Sequence, residues 1–205
     1  MRRMILVTPK ASGEILLKNY LDCEIVGMDE GISIALSAGV KLSLAVSSFK
    51  TVSLEEVLSF IPKEKIMKYK DDNYDDGLGK VISYLRSIGA EEIVILDSIG
   101  GKIGHIHNLF QLLKSGSGSI FVHDADNFLT YYGEGTHVIS KQGYDVFSIV
   151  GFPEADISLE HVSKPVRNTH LSFSDTNALT NSILERVAVL KVITGGVLLA
   201  LSNND

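Results

Sequence analysis

At 205 residues and 45% hydrophobic content, the chain is long enough for one large domain or two small ones, each with a real core. Its net charge of −6 and pI near 5.5 argue against general nucleic-acid binding, which calls for a basic face. Nucleotides stay open, because Mg²⁺ can bring a carboxylate cluster and phosphates together. No stretch reaches the length of a membrane span, and the apolar run 4–7 stops at Thr8-Pro9-Lys10, too early for a signal peptide. The single cysteine, Cys23, cannot form an internal disulfide and reads as a small core residue. A soluble, cytoplasmic protein is expected.

The first strand is expected over residues 4–7, followed by a helical segment over 13–20. A second strand, Glu24-Ile25-Val26-Gly27-Met28, ends at Asp29, and Asp29-Glu30-Gly31 opens a helix through Ile32, Ala35 and Leu36 that Gly39 closes. A carboxylate at the carboxyl end of a strand, ahead of a glycine turn into a helix, is well placed for chemistry; it is equally placed to be an N-cap. A third apolar run, 42–46, leads into Ser47-Ser48-Phe49-Lys50-Thr51, and Ser53 with Glu56 fits a capping box. Residues 66–69 read as a short strand that delivers the chain to an acidic loop, Asp71-Asp72-Asn73-Tyr74-Asp75-Asp76.

Leu78, Val81, Ile82, Leu85 and Ile88 then recur at helical steps up to Gly89, a residue suited to a left-handed C-cap. Ile93-Val94-Ile95-Leu96 reads as a buried parallel strand. It runs into Ser98-Ile99-Gly100-Gly101-Lys102-Ile103-Gly104-His105, and a helix follows that turns Ile106, Leu109, Phe110 and Leu113 inward. Residues 120–122 complete an alternation of strand and helix that calls for a parallel sheet flanked by helices. Beyond them, short β-rich runs alternate with glycine turns at Gly133-Glu134-Gly135, Lys141-Gln142-Gly143 and Thr194-Gly195-Gly196, the last read as a hairpin. The expected architecture is α/β: a mostly parallel N-terminal sheet with helices over 1–123, then a C-terminal antiparallel β-sandwich over 124–205.

Asp72 and Asp75, three residues apart at a loop-to-helix junction, can point the same way, as Mg²⁺ requires of one or two carboxylates that share it with phosphate oxygens. A solvated acidic loop supporting the helix dipole is the plain alternative. Gly100-Gly101-Lys102 lets backbone approach a ligand with a cation beside it, although it lacks the spacing of a Walker loop. His105 and His107 point about 200° apart on a helix, so they do not share a metal. There is no Gly-x-Ser-x-Gly elbow and no dinucleotide fingerprint. Phosphoryl or nucleotidyl transfer and small-molecule binding remain.

In order and spacing these motifs resemble the thiamin pyrophosphokinases. That family carries Lys-Asp-x-Thr-Asp, a helix, Gly-Ala, then Gly-Gly-Arg-x-Asp-His and an asparagine. Here the matching residues are Asp71-Asp72-Asn73-Tyr74-Asp75, Gly89-Ala90, Gly100-Gly101-Lys102-Ile103-Gly104-His105 and Asn108. Met28-Asp29-Glu30-Gly31-Ile32 stands where the family has Ala-Asp-Gly-Gly-Ala, and Ser174-Asp175-Thr176-Asn177-Ala178 where it has a Ser-Asn-Glu turn.

The resemblance implies pyrophosphate transfer from ATP to the hydroxyl of thiamin, with Mg²⁺, in a homodimer. It implies that Asp72 and Asp75 hold Mg²⁺-ATP and that Asp29 joins the same acidic cluster. Lys102, His105 and Asn108 fall in the nucleotide loop, and Thr176 and Asn177 near thiamin. The departures are equally specific. Ser47-Ser48-Phe49-Lys50-Thr51 replaces Gly-Asp-x-Asp-Ser, so both carboxylates are gone and Lys50 stands at the second, where it can meet phosphate directly. Tyr74, Lys102, Gly104 and Ala178 replace threonine, arginine, aspartate and glutamate, and lysine for arginine loses the bidentate fork. Two alternatives to a kinase follow: a repurposed relative that binds a nucleotide or thiamin-like ligand, and an interaction protein whose scaffold serves dimerisation.

Overall fold

In the computed structural model the described residues are 1–11, 17–70, 74–97, 99, 102–176 and 178–203, with the side chains of 74–76 excepted. The chain forms two compact units: Met1–Leu109 with Val122–Ala125, and Phe110–Phe121 with Asp126–Asp205.

The first unit is built on parallel strands β1 (Arg3–Val7), β2 (Glu24–Met28), β3 (Leu44–Ser47), β4 (Ile66–Lys68) and β5 (Glu92–Leu96), ordered β5-β1-β2-β3-β4. The strands are continuous apolar runs because both faces are covered: Ile5, Leu6, Val7, Val26, Met28, Val46, Ile93 and Ile95 are all fully buried. Helix α1 (Glu30–Ser37) buries Gly31, Ile32 and Ala35 on one face and ends at Gly39, whose φ is 71°. Helix α2 (Leu54–Leu58) is capped as expected, the Ser53 hydroxyl accepting from the Glu56 amide. Helix α3 (Tyr74–Ser87) buries Leu78, Val81, Ile82 and Leu85 and stops at Gly89, φ 95°. Helix α4 (Ile103–Ser115) leads to β6 (Ile120–His123). His105 is buried on α4 and His107 is exposed, the divergence that the helical rotation requires. Cys23, expected in the core, is only half-buried.

The two edges of this sheet differ in kind. At the amino ends lie exposed ion pairs, Arg2 with Glu24 and Arg3 with Glu92, of the sort that contributes little to stability. At the carboxyl ends the polar groups are buried.

The second unit is antiparallel. Strand β11 (Val187–Ser202) pairs with β7 (Asn127–Ser140) on one side and β8 (Val146–Glu160) on the other. Strand β8 also pairs with β10 (Leu179–Asn181) and, further along, with β9 (Val166–Ser172). Two expected turns are not turns. Gly133-Glu134-Gly135 lies within β7 and Thr194-Gly195-Gly196 within β11, and the pairing shifts register between Val192 and Gly196. The glycines serve bulges and close approach instead. Gly195 has φ 73°, and a Cβ there would lie 2.1 Å from the Glu154 carbonyl oxygen. Each side of the predicted hairpin is therefore half of one long, bent strand.

Candidate functional site

Five neighbouring parallel strands of the first unit run into a polar residue at the carboxyl end. In spatial order they are Asp97, Thr8, Asp29, Ser47 and Tyr69, and each is less than 10% exposed. In parallel α/β sheets this edge is where ligands are met. A polar row here cannot stay buried without partners, and the partners divide it into two groups.

The first group centres on Asp97. The Thr8 hydroxyl lies 2.9 Å from Asp97 Oδ2 and 3.0 Å from the Leu96 carbonyl, and His105 Nε2 lies 3.1 Å from Asp97 Oδ1. The His105 ring thus donates through Nε2, which sets its tautomer by the usual carboxylate–histidine arrangement. Asp97 precedes the glycine-rich loop and His105 follows it, so this contact ties the two sides of the loop together. Lys102 is exposed just before α4, and Asn108 is half-buried one turn beyond His105.

The second group centres on Asp29. Its Oδ1 accepts from the Ser47 hydroxyl at 2.7 Å and the Ser48 amide at 3.1 Å, and its Oδ2 from the Tyr69 hydroxyl at 2.5 Å. The N-cap alternative is overturned, since the Asp29 side chain makes no cap hydrogen bond to α1. Its backbone sits at φ 46°, ψ −125°, a left-handed conformation that costs a non-glycine residue about 1–3 kcal/mol. Hydrogen bonds from its amide to the Val46 carbonyl and from the Ile32 amide to its own carbonyl hold it there.

Beyond these groups, His123 ends β6, and its Nδ1 lies 2.6 Å from the Tyr20 hydroxyl. The His123 carbonyl accepts from the Asp97 amide, and the Asp124 carboxylate accepts from the Ile99 amide. Burial pushes the His123 imidazole below its ordinary value, and the nearby Asp124 charge only partly opposes this. A histidine held neutral by burial adds stability above its unfolded pKa, and that stability is lost as pH falls from there toward the folded value. Lowering the pH from about 7 to about 5 should therefore lower the melting temperature, and His123→Gln should flatten the slope. An unchanged slope in the variant would assign the acid sensitivity to other groups.

Of the other expected site residues, Asp72 and Asn177 lie outside the described residues. The backbone of Asp75 is in the first turn of α3, and its side chain is not described. Lys50 is exposed beyond β3. Thr176 is exposed in the second unit, after a turn in which Asp175 accepts from the Ser172 amide at 2.8 Å. Sequence reasoning missed Asp97, Thr8, Tyr69 and Tyr20. An aspartate placed directly after the apolar run 93–96 was the available signal for the first.

Among the described residues no three His, Cys, Asp or Glu side chains converge, and the Asp29 oxygens face hydrogen-bond donors.

A parallel sheet with a polar carboxyl edge, followed by a unit of long antiparallel strands, defines a mixed α/β architecture. It is the thiamin pyrophosphokinase fold. The chain is similar to the thiamin pyrophosphokinase of Geobacillus thermodenitrificans, at 20% identity over 100% of this chain and 99% of that one, with a TM-score of 0.81. The Bacillus subtilis enzyme is 17% identical over the whole of both chains, with a TM-score of 0.82. That of Candida albicans is 12% identical over 99% of this chain and 89% of that one, with a TM-score of 0.73. No protein-family model and no curated protein sequence matches the chain.

Proposed function

We propose that this protein binds ATP and thiamin and transfers pyrophosphate to the thiamin hydroxyl. The observation that carries the reading is the likeness in fold over the full chain to several thiamin pyrophosphokinases. The buried polar edge of the parallel sheet supports it. Transfer of this kind is mostly positioning and charge neutralisation. Lys102, at the start of α4, and Lys50, beyond β3, supply cations for the phosphates, with the N-terminus of α4 adding its dipole. His105 and Asn108 line the same loop, Thr176 and Asn177 would serve thiamin binding, and the active form is a homodimer. Asp72 and Asp75 would hold Mg²⁺, which when bound offsets phosphate charge.

Calorimetric titration with ATP and Mg²⁺, then with thiamin, tests this, followed by an assay for thiamin diphosphate. Both ligands should bind and product should form. Asp72→Ala should abolish Mg²⁺-dependent ATP binding while the protein still unfolds cooperatively. Undiminished affinity in that variant would sink the metal assignment. The Asp29 carboxylate, taken up by three hydrogen-bond donors, favours a second reading, a relative that binds nucleotide or thiamin without turnover. Binding of both ligands with no product would select it.

A further inference from the structure

We propose that Asp29 is a positioning residue and not a metal ligand: it forms a metal-free clasp that shapes the loop after β3 and sets the place of Lys50. The proposal rests on the reading of the sheet edge as a phosphate site, and it concerns how this corner meets the phosphates.

A carboxylate offers about four lone-pair positions, and three of those on Asp29 are filled, by the Ser47 hydroxyl, the Ser48 amide and the Tyr69 hydroxyl. All three donors aim hydrogens at the oxygens that a cation would need. Mg²⁺ demands near-octahedral oxygens at about 2.0–2.1 Å and retains several waters, whereas Asp29 is only 8% exposed. The corner is closed to such an ion.

The clasp also depends on residues in which this chain departs from the motif it resembles. Ser47 stands where Gly-Asp-x-Asp-Ser has glycine, which has no hydroxyl to donate, and Ser48 stands where it has the first aspartate. The hydroxyl that fills Asp29 Oδ1 is thus gained in the same segment that loses the carboxylates. Ser47 then relays the constraint, because its Oγ accepts from the Phe49 amide at 2.9 Å. Phe49 has φ 56°, a conformation that a large side chain holds only when its surroundings over-determine it. Asp29, Ser47 and Phe49 form one chain of hydrogen bonds that ends at the residue before Lys50. On the far side Tyr69, directly after β4, is drawn onto the same carboxylate.

The test uses the full-length protein, with Mn²⁺ followed by water-proton relaxation and amide exchange followed by NMR. Tyr69→Phe and Ser47→Gly should speed exchange of the Ser48 and Phe49 amides by about tenfold, with Mn²⁺ affinity unchanged within about twofold. ATP affinity measured with excess chelator should fall by about fivefold or more in both, as it should in Lys50→Ala. Asn tolerates the left-handed φ, so Asp29→Asn should show the same pattern. A loss of Mn²⁺ affinity of about tenfold in Asp29→Asn, in protein that still melts cooperatively, would overturn the proposal. So would unchanged exchange in Tyr69→Phe. If the parent protein binds no ATP, the phosphate-site reading fails, while exchange and Mn²⁺ affinity still decide whether the clasp exists.

Discussion

Gly31→Ala should destabilise the first unit by about 3 kcal/mol or more. Gly31 is the second residue of α1, and a Cβ built on it would lie 2.0 Å from the Val7 carbonyl oxygen and 2.7 Å from the Val7 carbonyl carbon. Both are main-chain atoms of β1, so no rotamer change relieves the overlap. The helix would have to retreat from the sheet, and Ile32 and Ala35, fully buried now, would withdraw with it. Thr8 follows Val7 directly, so the hydroxyl that reaches Asp97 would shift as well. Gly104→Ala is the control. Nothing lies within 4 Å of its added Cβ, and alanine in a helix should be neutral or gain up to about 1 kcal/mol. Chemical denaturation of both variants checks the contrast, and equal midpoints would mean that α1 and β1 can separate without cost.

Asp97→Ala should cost about 3 kcal/mol. The side chain is fully buried, and its removal takes a partner from the Thr8 hydroxyl and from His105 Nε2 together. Asp97→Asn keeps an acceptor and nearly the same volume, so a smaller loss of about 1–2 kcal/mol is expected. The decisive measurement is a double-mutant cycle of Asp97→Asn with His105→Gln, in which side chains in direct contact should show a coupling of about 0.5–3 kcal/mol. A coupling near zero would mean that the two sides of the glycine-rich loop are held by something else. In the pyrophosphate-transfer reading, ATP affinity should fall in Asp97→Asn more than its stability predicts.

What could be read from the sequence was whatever depends on neighbours along the chain. The strands and helices of the first unit follow from apolar runs, helical spacing and the stops at Gly39 and Gly89. Asp29 stood out because a strand end, a carboxylate and a glycine turn fall together in sequence. Its partners did not, because Ser47 and Tyr69 become neighbours only when β2, β3 and β4 align, and linear spacing does not specify which strands lie side by side. Asp97 was passed over because an aspartate before a glycine-rich stretch reads as loop, whereas it lies directly after β5 and is fully buried. In the second unit Gly133, Gly135, Gly195 and Gly196 misled for a physical reason. A turn and a bulge both ask for glycine at positive φ or at close approach, and only the pairing across strands distinguishes them.

The division of the chain into units bears on how the protein is made. Residues 122–125 belong to the first unit, but residues 110–121, which belong to the second, are synthesised before them. A nascent chain leaving the ribosome therefore cannot finish its first unit in one pass. The strand end that carries His123 and Asp124, and the carbonyl that accepts from the Asp97 amide, arrive only after the second unit has begun. Until then Asp97 waits at an incomplete edge, and any chaperone that attends this protein would meet the polar carboxyl side of the sheet still open.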